Sequence, residues 1–344
     1  MARLNLAIPK RRNERMGGTS RGRPCLDDLE AYEARLTAWC DGIRIIQSGL
    51  DFEVSSRGWC YVLEEYGLSK GDFNSAQKLI NDCRKDGHLP LDICSEDDRR
   101  VAEHLEKLDA DPKARAQQLL NYVNSADQYY HPHSFWQTQD TYVEMVVEKV
   151  DLKSLFSVVC EPFHIALTNN AGWGDLNSRA AMMKRFADWE AQGKRCVLLY
   201  CGDHDPGGLH ISDLIRSNMA DLSRAVGWSP DNLVIDRFGL NVGFINRHRL
   251  TWIDNLDTSK GGSLEDRNHI DHYKPYMQNY IKQFGKRKVE ANALVSRPEA
   301  GRKLCRDAIL KYLPAVAPNK YQATLQLPRR KLRAELKRQL KGLE

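Results

Sequence analysis

The chain has 344 residues and a formal net charge of +5, and it contains nine cysteines. A chain of this length exceeds one ordinary hydrophobic core and predicts more than one domain. No stretch approaches the roughly 20 apolar residues of a membrane-spanning helix. The cysteines lack a C-x-x-C pair, which favours reduced thiols over a disulfide framework. We therefore expect a cytoplasmic protein with no membrane partner.

Basic residues concentrate at both ends of the chain. Residues 1–25 mix Arg, Gly and Ser with few aromatic residues, which predicts a basic disordered arm. Residues 326–344 predict a basic amphipathic helix, in which Leu332, Leu336 and Leu340 recur at every fourth position. Basic ends suit a polyanion, although solvated tails explain either end alone equally well.

Residues 26–130 show the outline of a winged helix-turn-helix domain. The pattern predicts helices at 26–39, 55–66 and 72–84 and a short strand at 89–93 (the segment LPLDI). Two further helices are predicted at 97–108 and 112–124. Ser and Asp caps begin the second and third helices, and glycines end them. The third helix carries Lys78, Arg84 and Lys85 on a polar face that suits contacts to DNA phosphates. Most helix pairs with a basic face bind no nucleic acid, so this pattern does not decide the function by itself.

The periodicity changes from about Thr141. Short apolar runs alternate with amphipathic stretches and predict strands at 142–149, 164–169, 195–201 and 232–240. Strands alternating with helices predict a mainly parallel, Rossmann-like sheet. The predicted fold class is therefore α/β, with this second domain at 131–325. The polar stretch 255–290 supports no assignment.

Three carboxylates are expected at one edge of this sheet. Glu148 follows the first strand, and Asp203 and Asp205 follow the third in the segment YCGDHDPGG. Residues two apart in an extended segment share a face, and open α/β sheets carry their sites at the carboxyl ends of the strands. Three hard oxygen donors suit Mg²⁺, with Mn²⁺ as a substitute.

Other interpretations of the aspartate segment stay open. Asp203 and Asp205 are also suited to cap the helix that Pro206 begins, although capping accounts for one aspartate only. Cys201 and His204 have the spacing of half a zinc site, but a second pair at usable spacing is missing from the sequence.

A glutamate at the end of one strand and D-x-D-P-x-G after a later strand resemble the Toprim domain of topoisomerases, primases and certain nucleases. With a winged helix in front, the order is similar to the topoisomerase VI A subunit and the related protein that makes meiotic double-strand breaks. The segments VSSRGWCYVL (54–63) and KVEANALVSRPEAGRKLCRDAI (288–309) resemble that family's R-x-x-Y-Y-x-L and ELDAL motifs. The resemblance covers roughly residues 50–315. Because no ATPase adjoins, the chain most resembles the compact Mini-A proteins of mobile elements.

The resemblance implies a set of site residues. Glu148, Asp203 and Asp205 would hold Mg²⁺, and Tyr61 would be the nucleophile with Arg57 beside it. A tyrosine hydroxyl has a pKa near 10, so the attack needs a base or a nearby cation.

This sequence departs from the family motif at Cys60, where the family has its first aromatic residue. The alignment therefore depends on Arg57, Tyr61 and Leu63. Tyr66 stays a second candidate for the nucleophile.

The resemblance further implies a homodimer on double-stranded DNA, in the nucleoid region of the cytoplasm. The tyrosine of one subunit would face the metal site of the other, and two attacks would leave a double-strand break with 5′-phosphotyrosyl links. Full strand passage, the isomerase activity of a topoisomerase, would require a separate ATPase of the B type. Two alternatives stay open: a Toprim nuclease that uses metal-bound water, and a non-catalytic DNA-binding protein.

Overall fold

The computed structural model describes residues 4, 6–9, 26–95, 106, 108, 111–169, 176–257 and 262–341. In chain order its helices and strands are α1 (Leu26–Gln47), α2 (Ser56–Glu64), α3 (Phe73–Lys85), α4 (Pro112–Ser125), β1 (Thr141–Val147), α5 (Val150–Cys160), β2 (Ala166–Asn169), α6 (Leu176–Glu190), β3 (Arg195–Cys201), α7 (Pro206–Leu209), α8 (Ile211–Ala220), α9 (Ser223–Val226), β4 (Val234–Gly239), α10 (Val242–His248), α11 (Pro275–Phe284), α12 (Pro298–Leu310) and α13 (Ala317–Lys341). The helix predicted over 97–108 falls almost entirely outside the described residues.

The described part of the chain contains a four-stranded sheet in the order β2-β1-β3-β4. Every neighbouring pair of strands is parallel, so the predicted α/β class with a parallel sheet is confirmed. The two central strands, β1 and β3, are almost entirely buried. Val147 pairs with Cys201 at their carboxyl ends, and the residues that follow both strands therefore leave the sheet at one edge.

Helices cover both faces of the sheet. On β1, Met145 lies against the thiols of Cys160 and Cys305, which belong to α5 and α12. Tyr142 points to the opposite face, because side chains alternate along a strand, and it packs against Phe186 of α6. Such two-sided burial explains why the central strands are continuously apolar.

The N-terminal helices share one hydrophobic core with the sheet. The N-cap of helix α2 is Ser55, whose side chain accepts a hydrogen bond from the Gly58 N–H. Asp151 at the start of α5 in turn accepts hydrogen bonds from the Ser55 N–H and from its hydroxyl. Helix α2 also packs against a 3₁₀ turn at Ala291–Ser296. These contacts fix α2 directly over the carboxyl edge of the sheet.

The N-terminal part differs from the sequence-based prediction at two places. The prediction of a strand at 89–93 is wrong. Residues Leu91–Ile93 form a 3₁₀ turn that is closed by a hydrogen bond from the Ile93 N–H to the Pro90 carbonyl. Proline lacks the N–H that a ladder needs. Leu6 lies within the predicted disordered arm, yet it is buried and its N–H donates to the Tyr66 carbonyl.

Two helices differ in extent from their predicted bounds. Helix α1 continues to Gln47 because Ile43 and Ile46 prolong its buried stripe. The basic C-terminal helix begins at Ala317 instead of residue 326. Among the described residues, none of the helices combines the length and apolarity needed to cross a membrane.

Candidate functional site

A cleft of about 1110 Å³ lies at the carboxyl edge of β1 and β3. Four residues predicted from the sequence line it together: Arg57, Glu148, Asp203 and Asp205. They come from α2 and from the two strand ends, so one chain supplies all four. Asn74 and Gln77 of α3 also line the cleft, and the N-terminal half of that helix therefore faces the carboxylates.

Glu148 and Asp203 share the ammonium group of Lys149. Its Nζ lies 2.8 Å from Glu148 Oε1 and 2.8 Å from Asp203 Oδ2. The second oxygen of Glu148 accepts a hydrogen bond of 2.9 Å from the Asp203 N–H. The strand ends approach this closely because residue 202 is glycine, where an added Cβ would lie 2.6 Å from Glu148 Oε2.

The charges of this group depend on one another. Burial and, next in size, the neighbouring Glu148 carboxylate raise the pKa of Asp203 to about 7. Burial alone would raise the pKa of Glu148, but Lys149 and the hydrogen bonds from Asp203 together outweigh burial and lower that pKa. Burial likewise disfavours the charged form of Lys149, yet the two carboxylates raise the pKa of that ammonium. A positive charge is therefore strongly held between Glu148 and Asp203.

The two aspartates of the D-x-D segment have different partners. Asp203 Oδ1 accepts a hydrogen bond of 2.7 Å from the Ala291 N–H. Asp205 Oδ1 accepts one of 2.5 Å from the Gly208 N–H, as the N-cap of α7. Capping thus accounts for Asp205, as one interpretation of the sequence expected, whereas Asp203 is bound to Lys149 and to the distant residue 291.

The carboxylates of Glu148, Asp203 and Asp205 fit a hard cation such as Mg²⁺ only in part. In the portion of the chain that the structure describes, no three His, Cys, Asp or Glu side chains form a group that could hold a metal ion. Glu148 and Asp203 already hold one cation, the Lys149 ammonium, and carboxylate oxygens are what Mg²⁺ prefers. Asp205 lines the same cleft, and only its Oδ1 atom is bonded to the Gly208 N–H.

The zinc interpretation of Cys201 and His204 lacks a suitable geometry. His204 Nδ1 lies 3.1 Å from the Leu240 carbonyl oxygen, and its ring is surrounded by Trp252 and Phe284. The Cys201 thiol is fully buried at the end of β3.

Asn292 adds an acceptor to the wall of the cleft. Its side chain lines the cleft and is only 5% exposed. Its Oδ1 atom is buried and has no hydrogen-bond partner among the described residues. Buried polar atoms are normally paired, so this oxygen is an exception in the wall of the cleft.

Tyr61 contacts the cleft through Glu290. The tyrosine is fully buried, and its Oη atom donates a hydrogen bond of 2.5 Å to Glu290 Oε2. Arg57 holds the same carboxylate, with Nη2 at 3.2 Å from Oε1 and Nε at 3.3 Å from Oε2. The ring of Tyr61 packs edge-on against Phe73, and Lys70 Nζ lies 4.7 Å from its centroid.

Electrostatics keep the proton of this pair on the tyrosine. Burial raises the pKa of Tyr61, and the Glu290 carboxylate raises it further. Burial opposes the charge on Glu290, but the hydrogen bond from Tyr61 and the charge of Arg57 outweigh burial and lower its pKa. The contact is therefore a neutral phenol bound to an ionised carboxylate.

Sequence reasoning assigned no role to Glu290, Lys149 or Asn292. Glu290 and Asn292 lie in the segment 288–309 that resembles the ELDAL motif. The resemblance of that segment could have indicated these two residues, but no role was assigned to it. Lys149 directly follows Glu148, and a cation beside a predicted metal ligand was the available signal there.

The three candidate DNA-binding residues are not among the described residues that line the cleft. Lys78 is exposed, and Lys85 is exposed beside Asp82. Arg84 instead donates to the Leu91 carbonyl at 3.0 and 2.6 Å and so holds the turn after α3.

Tyr66, the second candidate nucleophile, follows α2 and packs partly buried against the core. It too is absent from the described lining of the cleft.

No family model, curated protein or solved structure matches this chain. The geometry of the cleft is therefore the ground for a functional conclusion.

Proposed function

We propose that this protein cleaves double-stranded DNA, with Tyr61 as the nucleophile and Mg²⁺ as the cofactor. One observation carries the proposal. The Tyr61 hydroxyl is bonded to Glu290, and Glu290 and Arg57 line the same cleft as Glu148 and Asp203. A phenol, a carboxylate, a guanidinium and a pair of acidic side chains at one sheet edge are the groups that a phosphoryl-transfer site requires.

The fold supports the same conclusion. The proposed Toprim domain requires a parallel sheet with a glutamate after one strand and D-x-D after its neighbour, and Glu148 and Asp203 follow the adjacent strands β1 and β3. We assign α1, α2 and α3 to the proposed winged-helix domain. Its recognition helix would be α3, whose first half faces the cleft.

The reaction is a transesterification. The Tyr61 oxygen attacks a DNA phosphorus atom and forms a new P–O bond, while the bond from phosphorus to the 3′ oxygen breaks. The tyrosine loses its proton, and the leaving 3′ oxygen takes one from water. Mg²⁺ held by Glu148 and Asp203 would supply positive charge beside the phosphate. Arg57 would contribute a further positive charge at the cleft.

The proposed partners are double-stranded DNA and a second copy of the chain. One nucleophile cuts one strand, so a double-strand break needs two copies. Coupling to strand passage would require a separate ATPase subunit of the B type. Because Tyr61 has no exposed surface, a local movement has to open a path for DNA to its hydroxyl before attack.

One observation favours a second function. Tyr61 has no exposed surface, whereas Glu148, Asp203 and Asp205 line an open cleft. A hydrolytic nuclease would use the carboxylates with a water molecule as nucleophile and leave Tyr61 as a core residue. The two functions differ in their product, because only the first leaves protein covalently bound to DNA.

The test is a cleavage assay with radiolabelled duplex DNA in Mg²⁺ or Mn²⁺, stopped with detergent and run on a denaturing gel. We expect label that migrates with the wild-type protein and that disappears with Tyr61→Phe. Tyr66→Phe is the matched control and should behave as wild type. Free ends without labelled protein would replace the proposal with the nuclease, and intact DNA under all conditions would reject both.

A further inference from the structure

The Tyr61–Glu290 contact has a close counterpart elsewhere in the fold. Tyr142 donates to Glu144 Oε1 at 2.8 Å, and Arg185 binds both oxygens of that carboxylate at 2.8 and 2.7 Å. Each group consists of a buried tyrosine, a glutamate and an arginine. The Glu144 side chain is 0% exposed, and neither it nor Tyr142 is among the described residues that line the cleft. That group is structural.

Glu290 differs from Glu144 in position and accessibility. Its side chain is 18% exposed and lines the cleft. Its bond to the tyrosine is shorter, at 2.5 Å, while its bonds to Arg57 are longer, at 3.2 and 3.3 Å. A proton received by Glu290 can therefore leave through the cleft, whereas a proton on Glu144 would be enclosed by the core.

We propose that Glu290 is the proton acceptor for Tyr61 during attack on DNA, an inference that rests on the proposed function. The proton on Tyr61 Oη passes to Glu290 Oε2, and the electron pair left on Oη forms the bond to phosphorus. The bond from phosphorus to the 3′ oxygen breaks, and that oxygen takes a proton from water. Glu290 then releases its proton to solvent in the cleft, and Arg57 acts as a positioning residue that orients the carboxylate.

The groups around Glu290 keep it ionised and able to accept. Arg57 of α2, Lys149 after β1 and Lys288 on its own segment all face it and lower its pKa, as does the hydrogen bond from Tyr61. The charge of Lys70 also interacts with Glu290. Burial is the opposing effect, and these partners outweigh it. A carboxylate held ionised within hydrogen-bond distance meets the geometric requirement for a general base.

The experiment measures the rate of covalent adduct formation from pH 6 to pH 10 in wild type and in Glu290→Gln. General-base assistance is worth roughly 10²–10⁴-fold, so we expect Glu290→Gln to be slower by that order at pH 7. The ratio of the two rates should then shrink by about tenfold per pH unit, because the variant depends on tyrosine that has already lost its proton. Taking the ratio cancels titrations that both proteins share.

Matched variants separate catalysis from support of the fold. Glu290→Asp keeps a carboxylate, so it should be slowed but should retain the pH dependence of wild type. Glu144→Gln removes the same charge from the structural counterpart and should leave the rate within about twofold of wild type at every pH; if it does not fold, Tyr142→Phe replaces it. DNA binding by each variant, measured without metal, should equal that of wild type.

Two results would overturn the assignment while leaving the function intact. A Glu290→Gln rate that is reduced by the same factor at every pH would make Glu290 structural, and a rate above wild type would make it a lock on the nucleophile. If wild type forms free ends without an adduct, both the proposed function and the role of Glu290 are rejected.

Discussion

The hydroxyl of Tyr61 and the carboxylate of Glu290 lie 2.5 Å apart, although 229 residues separate them in the chain. The contact joins the N-terminal helices to the segment that follows the sheet. Glu290 can accept the proton of Tyr61 only if the movement that gives DNA access keeps the two side chains within hydrogen-bond distance. Access to the proposed nucleophile is therefore coupled to the packing of α2 on Ala291–Ser296.

Replacing Tyr61 with phenylalanine should cost little stability. The ring and its edge contact with Phe73 remain, and Glu290 keeps its ion pair with Arg57. We expect the free energy of unfolding in urea to fall by about 1 kcal/mol, the net value of one hydrogen bond. Tyr61→Ala should cost roughly 3–5 kcal/mol, because it leaves a cavity in the core. Equal losses for the two variants would show that the hydroxyl, and not the ring, holds α2.

Removing the Lys149 ammonium should strengthen metal binding. In Lys149→Met the carboxylates of Glu148 and Asp203 lose the cation that they share. We expect the dissociation constant for Mn²⁺, measured by electron paramagnetic resonance, to fall several-fold, because the metal no longer competes with the lysine. Without metal the variant should be less stable by roughly 1–3 kcal/mol, and Mg²⁺ should restore most of the loss.

Lys311→Met is the control for that measurement, since Lys311 pairs with Asp236 on β4 at 3.0 Å. Neither residue is among those described as lining the cleft. Weaker Mn²⁺ binding in Lys149→Met than in wild type would contradict the placement of the metal between Glu148 and Asp203.

The sheet edge could be predicted because it depends on local patterns. Apolar runs of strand length alternate with helical patterns, and carboxylates follow the strands. That reasoning brought Glu148 and Asp203 together without knowledge of the strand order, since all parallel strands end at one edge. The alternative left open there, that one of the two aspartates caps the next helix, is also met, by the bond from the Gly208 N–H to Asp205.

The remainder of the site depends on contacts that the sequence pattern does not encode. Glu290 lies at the end of a polar stretch with no clear periodicity, and its partners Arg57 and Tyr61 are more than 200 residues away.

The prediction of a strand at 89–93 was wrong for another reason. The apolar alternation of this segment favours a strand, but Pro90 removes a ladder donor and a turn forms instead.

Asp151 should give a measurable pH dependence of stability. Burial raises the pKa of this carboxyl above its ordinary value, although it accepts hydrogen bonds from Ser55 at the start of α2. The folded state then binds the proton more tightly than the unfolded state, so this contribution to stability is complete at low pH and is lost as the pH rises through the folded pKa. The difference in unfolding free energy between Asp151→Asn and wild type should therefore increase with pH above about 4. A difference that stays constant from pH 4 to pH 7 would contradict the raised pKa.

The candidate DNA-binding residues should divide into two kinds. Lys78→Ala and Lys85→Ala should each weaken DNA binding and lower the slope of log affinity against log salt by about 1, because each removes one phosphate contact. Arg84→Ala should instead lower stability by about 1–2 kcal/mol, since Arg84 holds the Leu91 carbonyl. A larger effect of Arg84→Ala on the salt slope than on stability would reverse this division.

The most direct measurement is mass spectrometry of the protein after it has reacted with duplex DNA in Mg²⁺ and been digested with nuclease and protease. The proposed mechanism predicts that the peptide containing Tyr61 carries a nucleotide linked through its 5′ phosphate to the tyrosine oxygen. The corresponding peptide of Tyr61→Phe should be unmodified. A nucleotide on Tyr66, or cut DNA with every tyrosine unmodified, would contradict the central claim that the phenol held by Glu290 is the nucleophile.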